Sequence, residues 1–292
     1  MLVNLGKRFF ENEETFIYTE GISIFDYPSK FETGIRIEIE RGHNTSRPTV
    51  ILADYCNHDA ILPLQVSDHL REIYPNHKQI LYVPYLPYAR MDRKMSKDAF
   101  TLKTFAKLIN NQNFDSVYIA DPHSAVATAL IDRSKEVNLN GFYQFVIDSL
   151  IGTGCNHILI PDAGAAKKIQ SNKLLSKHFE TIQCGKKRDV NTGKLSQFEI
   201  YGDVSKHNAY LIVDDIIDGG GSFLGLADAV RQINPQARLY LAATHGIFSK
   251  GPLHHVFERT FITNTFDTHV GDIENYKTII YDLVENTVKP LL

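Results

Sequence analysis

One run constrains the fold more than any other: Leu211-Ile-Val-Asp-Asp-Ile-Ile-Asp-Gly-Gly-Gly-Ser222. A short apolar stretch leads into Asp214 and Asp215, then Asp218, and then three glycines before a segment of helical period opens near Ser222. A brief apolar run bounded by turn residues reads as a buried strand, so the whole is a strand–turn–helix unit. In α/β sheets, ligands bind at the carboxyl ends of the strands, where these acids fall. Gly219, Gly220 and Gly221 allow backbone N–H groups to approach an anion closely. The N-terminus of the following helix adds partial positive charge. Carboxylates suit sugar hydroxyls or a metal, and amides suit a phosphate. The combination therefore predicts a sugar-phosphate cradle. The plainer alternative is a strand–helix turn with acids at its rim.

The rest of the chain repeats the same alternation. Thr49–Ala53, Gln79–Val83, Ser116–Ala120, His157–Ile160, Tyr210–Val213 and Arg238–Ala243 read as strands. Ala60–Ile73, Thr101–Asn110, Phe142–Ile151, Ala165–Leu175 and Ser222–Gln232 read as helices. In the second of these, Leu102, Phe105, Ala106 and Ile109 share one face. Alternating strands and helices predict an α/β fold with mostly parallel sheets flanked by helices. Two such blocks imply two similar domains, 1–140 and 141–292, divided where polar residues and a glycine cluster at Glu136–Gly141.

Composition excludes several classes. The chain has 292 residues, 43% of them hydrophobic and 22% charged, with a net charge of −3. No general attraction to nucleic acid or membrane follows from that balance, so cations must act locally. Cys56, Cys155 and Cys184 are widely spaced and form no CxxC pair, which argues against a disulfide framework and for a reducing compartment. The first residues lack the long apolar core of a signal peptide. No apolar run approaches the roughly 18 residues of a membrane span. The expectation is a cytoplasmic protein without nucleic-acid or membrane partners.

Three further segments carry chemistry. Pro84-Tyr-Leu-Pro-Tyr-Ala-Arg-Met-Asp-Arg-Lys94 follows a strand, and its prolines stop regular structure. Arg90 and Arg93 there can fork onto phosphates, and arginine or tyrosine can stack on a base. A solvated basic loop, with Asp92 pairing locally, is the competing reading. Asp121-Pro-His123 and Pro161-Asp-Ala-Gly-Ala-Ala-Lys-Lys168 each follow a strand. Magnesium prefers carboxylate, water and substrate oxygens, so Asp162 is a better-founded ligand than His123, although Asp162 could simply cap a helix. Finally, Cys184-Gly-Lys-Lys-Arg-Asp-Val-Asn-Thr-Gly193 is polar and reads as a mobile excursion between strands. Taken alone it reads as a solvated charged loop, although its cations could also close over a substrate and neutralise charge; Cys184 beside them has no evident base or resolving cysteine and is incidental.

Together these segments resemble the ribose-phosphate pyrophosphokinase (PRPP synthetase) family, from about Phe31 to Asn264. PYLPYARMDRK is similar to that family's ATP-side motif. DPH and PDAGAAKK resemble its histidine and pyrophosphate-loop motifs, GKKR its catalytic flexible loop, and LIVDDIIDGGGS its phosphoribosyl-binding motif. THGIF, Thr244–Phe248, is also family-like. The resemblance implies two type I phosphoribosyltransferase-like domains, the first serving ATP and the second ribose 5-phosphate. It implies a Mg²⁺-dependent diphosphotransferase making PRPP and AMP, in a homo-oligomer built on dimers, with a hexamer as the larger form. By position, Arg90, Asp92, Arg93 and His123 would bind ATP, His123 and Asp162 would hold Mg²⁺–ATP, and Lys186 and Arg188 would be catalytic. Asp214, Asp215, Asp218, Gly219, Gly220, Gly221 and Ser222 would bind ribose 5-phosphate.

The pattern is not reproduced everywhere. Phe31-Glu-Thr-Gly-Ile35 lacks the glutamate that ends the family's N-terminal motif. Met91 stands in place of glutamine, and Gly219 and Ser222 in place of threonines. Two other classes share parts of the pattern: a phosphoribosyltransferase that consumes PRPP, and a non-catalytic regulatory homologue. The first is opposed by the N-terminal α/β block, the second by retention of Lys186, Arg188, Asp214, Asp215 and Asp218.

Overall fold

The structure is a computed structural model. It describes residues 2–5, 22–28, 33–39, 48–53, 61–95, 98–188, 195–266 and 277–291. The side chains of residues 2, 4, 22–28, 33–39, 186–188 and 195–197 lie outside that description. The chain divides into two compact units: Met1–Asn138 with Asp282–Leu292, and Leu139–Tyr281.

The first unit runs β1 (Leu2–Asn4), β2 (Ile22–Pro28), β3 (Thr33–Ile39), β4 (Thr49–Leu52), α1 (Leu62–Ile73), β5 (Gln79–Val83), α2 (Thr101–Asn111), β6 (Ser116–Ile119), α3 (Ala125–Leu130) and β7 (Ser134–Glu136). β2 and β3 form an antiparallel ribbon, and the rest form a parallel sheet ordered β1-β4-β5-β6-β7. Leu102, Phe105, Ala106 and Ile109 of α2 are its buried residues, the face that the helical period predicts. They pack with Val66 and Leu70 of α1 and with Ile51, Leu81 and Val83 of the sheet.

The alternate strand residues Val50, Leu52 and Tyr82 are fully buried without joining that cluster. A strand buried on both faces needs a second cover. The last α-helix, α8 (Leu283–Val288), is grouped with this unit and hydrogen-bonds to β5 through Tyr82 Oη and Thr287 Oγ1, 2.5 Å apart. The C-terminal segment thus lies with the first unit, whereas a single cut at 140/141 would assign it to the second. Proximity in sequence does not report such a return.

The second unit runs α4 (Asn140–Leu150), β8 (His157–Ile160), α5 (Ala163–Ser171), α6 (Lys173–His178), β9 (Glu180–Arg188), β10 (Leu195–Ile200), β11 (Ala209–Ile217), α7 (Gly221–Ile233), β12 (Arg238–Gly246), β13 (Arg259–Thr263) and β14 (Thr278–Tyr281). Its sheet is ordered β10-β9-β8-β11-β12-β13-β14, parallel except for the β9–β10 hairpin. Alternation along β11 sends Tyr210 and Ile212 into a core with Phe223, Leu226 and Val230 of α7. Leu211 and Val213 enter a separate core with Phe142 and Val146 of α4 and Ile169 of α5. Helices on both faces explain why this strand is continuously apolar.

Three expectations change. β11 does not stop at Val213 but runs through both acids to Ile217, because Ile216 and Ile217 pair with His245 and Gly246 of β12. The single helix expected over 165–175 is two helices. Asn172 leaves helical geometry, and its Oδ1 accepts from Leu174 N and Leu175 N to start α6. Lys186–Arg188 are not in an excursion but on β9, in register with Phe198, Gln197 and Leu195 of β10.

Candidate active site

In the first unit, the loop after β5 is pinned by buried Leu86 and Ala89, which join the hydrophobic core. Between these anchors Tyr88 adopts a left-handed φ of 61° and packs edge-on against Phe105 at 5.6 Å. The pinning presents Arg90, Met91 and Arg93 to solvent while drawing Asp92 inside, only 5% exposed. Arg93 Nε donates to Asp92 Oδ1 at 2.9 Å. Burial opposes ionisation of Asp92, but the Ser124 hydroxyl, Arg93 and His123 outweigh it and hold the carboxyl below its ordinary range. Asp92 and Arg93 therefore lie near His123, on the loop that follows β6.

That second loop is strained. Asp121 and His123 have φ of 44° and 66°, left-handed values that side-chain-bearing residues rarely adopt. His123 N donates to Asp121 O and Ser124 N to Pro122 O, both at 2.8 Å, so a tight turn holds the strain. Such outliers persist where the surroundings over-determine them, and they cluster at binding sites. His123 is exposed and Asp121 is buried. Ser124 carries no sequence signal beyond its place after the DPH string.

In the second unit, Asp162 caps α5: its Oδ1 accepts from Gly164 N and Ala165 N, both at 3.1 Å. A Cβ on Gly164 would sit 3.3 Å from that oxygen, so glycine lets the carboxylate seat. The capping role does not remove Asp162 from the site, because its charge still acts on Asp214. Burial first, then repulsion from Asp215 and Asp162, push the Asp214 carboxyl well above the ordinary carboxylate range. Asp214 Oδ1 also accepts from Asp215 N at 3.0 Å. Asp215 and Asp162 thus both act on the charge of Asp214, toward the carboxyl end of β11 and just after β8.

The glycine turn completes this group. Gly220 is the N-cap of α7 with φ 74°, and no side chain caps the helix. A Cβ there would lie 2.7 Å from Leu253 Cδ2, so both conformation and space demand glycine. Phe223 N donates to Gly220 O at 3.0 Å, and the two N–H groups before it, of Gly221 and Ser222, have no intrahelical acceptor, as an anion site requires. Asp218 accepts from Ser249 Oγ at 2.5 Å, a contact that sequence reading did not foresee. At the ends of β12 and β13, His245 lies buried with its Nδ1 2.7 Å from Thr265 Oγ1. Thr263 Oγ1 and Thr265 Oγ1 both donate to Thr244 O, at 2.7 and 3.1 Å, and this network fixes the THGIF segment beside the cradle.

The β9 cations place their backbone at the β9–β10 hairpin, while the side chains of Lys186 and Arg188 lie outside the described residues. Phe31 and Glu32 of the N-terminal motif also lie outside them. Cys184 is buried, and burial pushes its thiol up to about 12, the opposite of activation by neighbouring cations. Among the described residues no cluster of three or more His, Cys, Asp or Glu side chains could hold a metal by itself. The carboxylates of the second unit instead suit a hard cation that retains substrate oxygens and water. No helix among the described residues is long and apolar enough to cross a membrane.

Comparison with known proteins adds a context to this geometry. No family model matches the chain. The ribose-phosphate pyrophosphokinase of Thermococcus kodakarensis is 29% identical over 287 residues, which span 93% of this chain and 96% of that protein. The protein of the same name from Pyrococcus furiosus is 27% identical over 259 residues, 84% of this chain and 87% of its own. The crystal structure of phosphoribosylpyrophosphate synthetase from Mycobacterium smegmatis matches with a TM-score of 0.69 at 18% identity, covering 94% of this chain and 91% of that one. That last likeness is one of fold. With the motifs in order along nearly the whole length, the chain is similar to the ribose-phosphate pyrophosphokinases.

Proposed function

We propose that the protein transfers the β,γ-diphosphate of ATP to the anomeric hydroxyl of ribose 5-phosphate. The hydroxyl oxygen bonds to the β-phosphorus, the bond from that phosphorus to the α,β-bridging oxygen breaks, AMP departs and the hydroxyl proton passes to solvent. The observation that carries this reading is the second unit's cradle: an uncapped helix N-terminus behind Gly219–Gly221, set beside Asp214 and Asp215. Backbone amides and Ser222 receive the 5-phosphate, and Asp214 and Asp215 accept from ribose hydroxyls. In the first unit Arg90 and Arg93 bind the nucleotide phosphates, with buried Asp92 orienting the Arg93 guanidinium.

His123 in the first unit and Asp162 in the second would each offer a ligand to Mg²⁺ carrying ATP oxygens, and the ion would supply charge neutralisation at the transferring group. Lys186 and Arg188 meet the charge that develops as AMP leaves. The protein works in the cytoplasm as a homo-oligomer. A phosphoribosyltransferase would share the cradle, but nothing favours it: the similarity to pyrophosphokinases also spans the first unit.

The test supplies ribose 5-phosphate, Mg²⁺ and each nucleoside triphosphate in turn. PRPP and the nucleoside monophosphate should appear together in equal amounts. Lys186→Ala should lower kcat by about 10²–10³-fold while the folded circular-dichroism spectrum is kept. PRPP consumed only when a nucleobase is added would overturn the reading.

A further inference from the structure

We infer that Lys250 is a binding residue for the 5-phosphate of the sugar substrate, supplying a cation where the phosphate turn has no side chain. The inference rests on the reading of the glycine turn as the ribose 5-phosphate cradle. Gly219 leaves open space over the turn, and the alkyl chain of Lys250 fills it. A Cβ built on Gly219 would lie 3.2 Å from Lys250 Cδ and 3.4 Å from its Cε. The ammonium is one bond beyond Cε, so it is held near the turn that leads into the first N–H groups of α7. Lys250 is exposed, and its ammonium makes no hydrogen bond or ion pair among the described residues.

The segment carrying Lys250 is docked rather than loose. Ile247 N and Phe248 N both donate to Ile217 O, at 2.7 and 3.1 Å, which fastens it to the end of β11. Ser249 Oγ donates to Asp218 Oδ1, and Gly251 N donates to Phe248 O at 2.9 Å. Phe248, with φ 53° and a buried ring, and Gly251, with φ 88°, curl the backbone so that residue 250 lies over Gly219. Leu253 then packs on Gly220. Two successive residues of the phosphate turn are therefore covered by one segment, and the charged member of that segment lies over the position without a side-chain donor. A lysine ammonium is a compact charge that suits a terminal phosphate dianion.

The test compares Lys250→Met, which keeps the packing on Gly219, with Lys250→Arg, which keeps the charge. Calorimetry on the whole protein measures ribose 5-phosphate and ribose separately, and initial rates give KM for ribose 5-phosphate and ATP. Lys250→Met should weaken ribose 5-phosphate about tenfold, in both Kd and KM, as loss of a charge-assisted contact requires. The KM for ATP and the binding of ribose should move by less than about twofold, and Lys250→Arg should recover most of the affinity. Unchanged ribose 5-phosphate affinity in Lys250→Met overturns the inference, as does an equal loss for ribose or ATP. Binding that falls as expected in a protein that makes no PRPP retains Lys250 and rejects the diphosphotransfer instead.

Discussion

Asp214 shows how the site spends stability on binding. A carboxyl whose pKa is raised in the folded state binds its proton more tightly there than in the unfolded chain. Stability is therefore lost as pH rises from the ordinary carboxylate range through the raised value. Asp214→Asn removes the repulsion from Asp215 and Asp162 while keeping the side chain's size. In ligand-free protein without Mg²⁺, this variant should unfold at higher urea concentration than wild type, by roughly 1 kcal/mol at neutral pH. The gap should widen toward alkaline pH, and activity should fall sharply. Equal stabilities at every pH would show that the three carboxylates do not repel. At Gly220, alanine meets both a left-handed φ and Leu253 Cδ2 at 2.7 Å. Gly220→Ala should cost about 1–3 kcal/mol in denaturant unfolding, with weaker ribose 5-phosphate binding. Neutral behaviour would mean that the turn can adopt another shape.

At the scale of elements, periodicity was a good guide where local pattern and tertiary burial agree. The α2 face and the limits of β5 and β8 follow from the residues alone, because each is a short element bounded by turn residues or Pro and packed against one core. The sequence was less legible where a partner sets the structure. The last residues of β11 are held by β12, and β9 keeps its three cations in a strand because β10 pairs with them. The break at Asn172 depends on its side chain capping the next helix, which a helical period conceals. In the site, the acids and glycines were visible as chemistry. Ser249 and Lys250 were not, since only the return of the segment after β12 brings them to the phosphate turn. The element least suggested by the sequence is α8. Truncation after Tyr281 should speed amide hydrogen exchange in β4 and β5 by an order of magnitude or more while leaving β11 and β12 protected. Uniform loss of protection in both units would contradict the grouping of α8 with the first.

For the whole molecule, each unit is built by the same physics: a largely parallel sheet, helices on its faces and functional groups where strands end. The strained Asp121–His123 turn and the pinned arginine loop belong to one unit, and the acidic cluster and glycine turn to the other. The proposed reaction needs both sets, which fits a similarity to ribose-phosphate pyrophosphokinases that runs through both units rather than one. The central claim is that the β- and γ-phosphoryl groups of ATP pass together to the sugar and leave AMP. ATP labelled with ³²P at the β position, incubated with ribose 5-phosphate and Mg²⁺, tests it directly. The account predicts that the label moves into PRPP and that unlabelled AMP accumulates in equal amount. Label retained in ADP, or released as phosphate or diphosphate without PRPP, would contradict it.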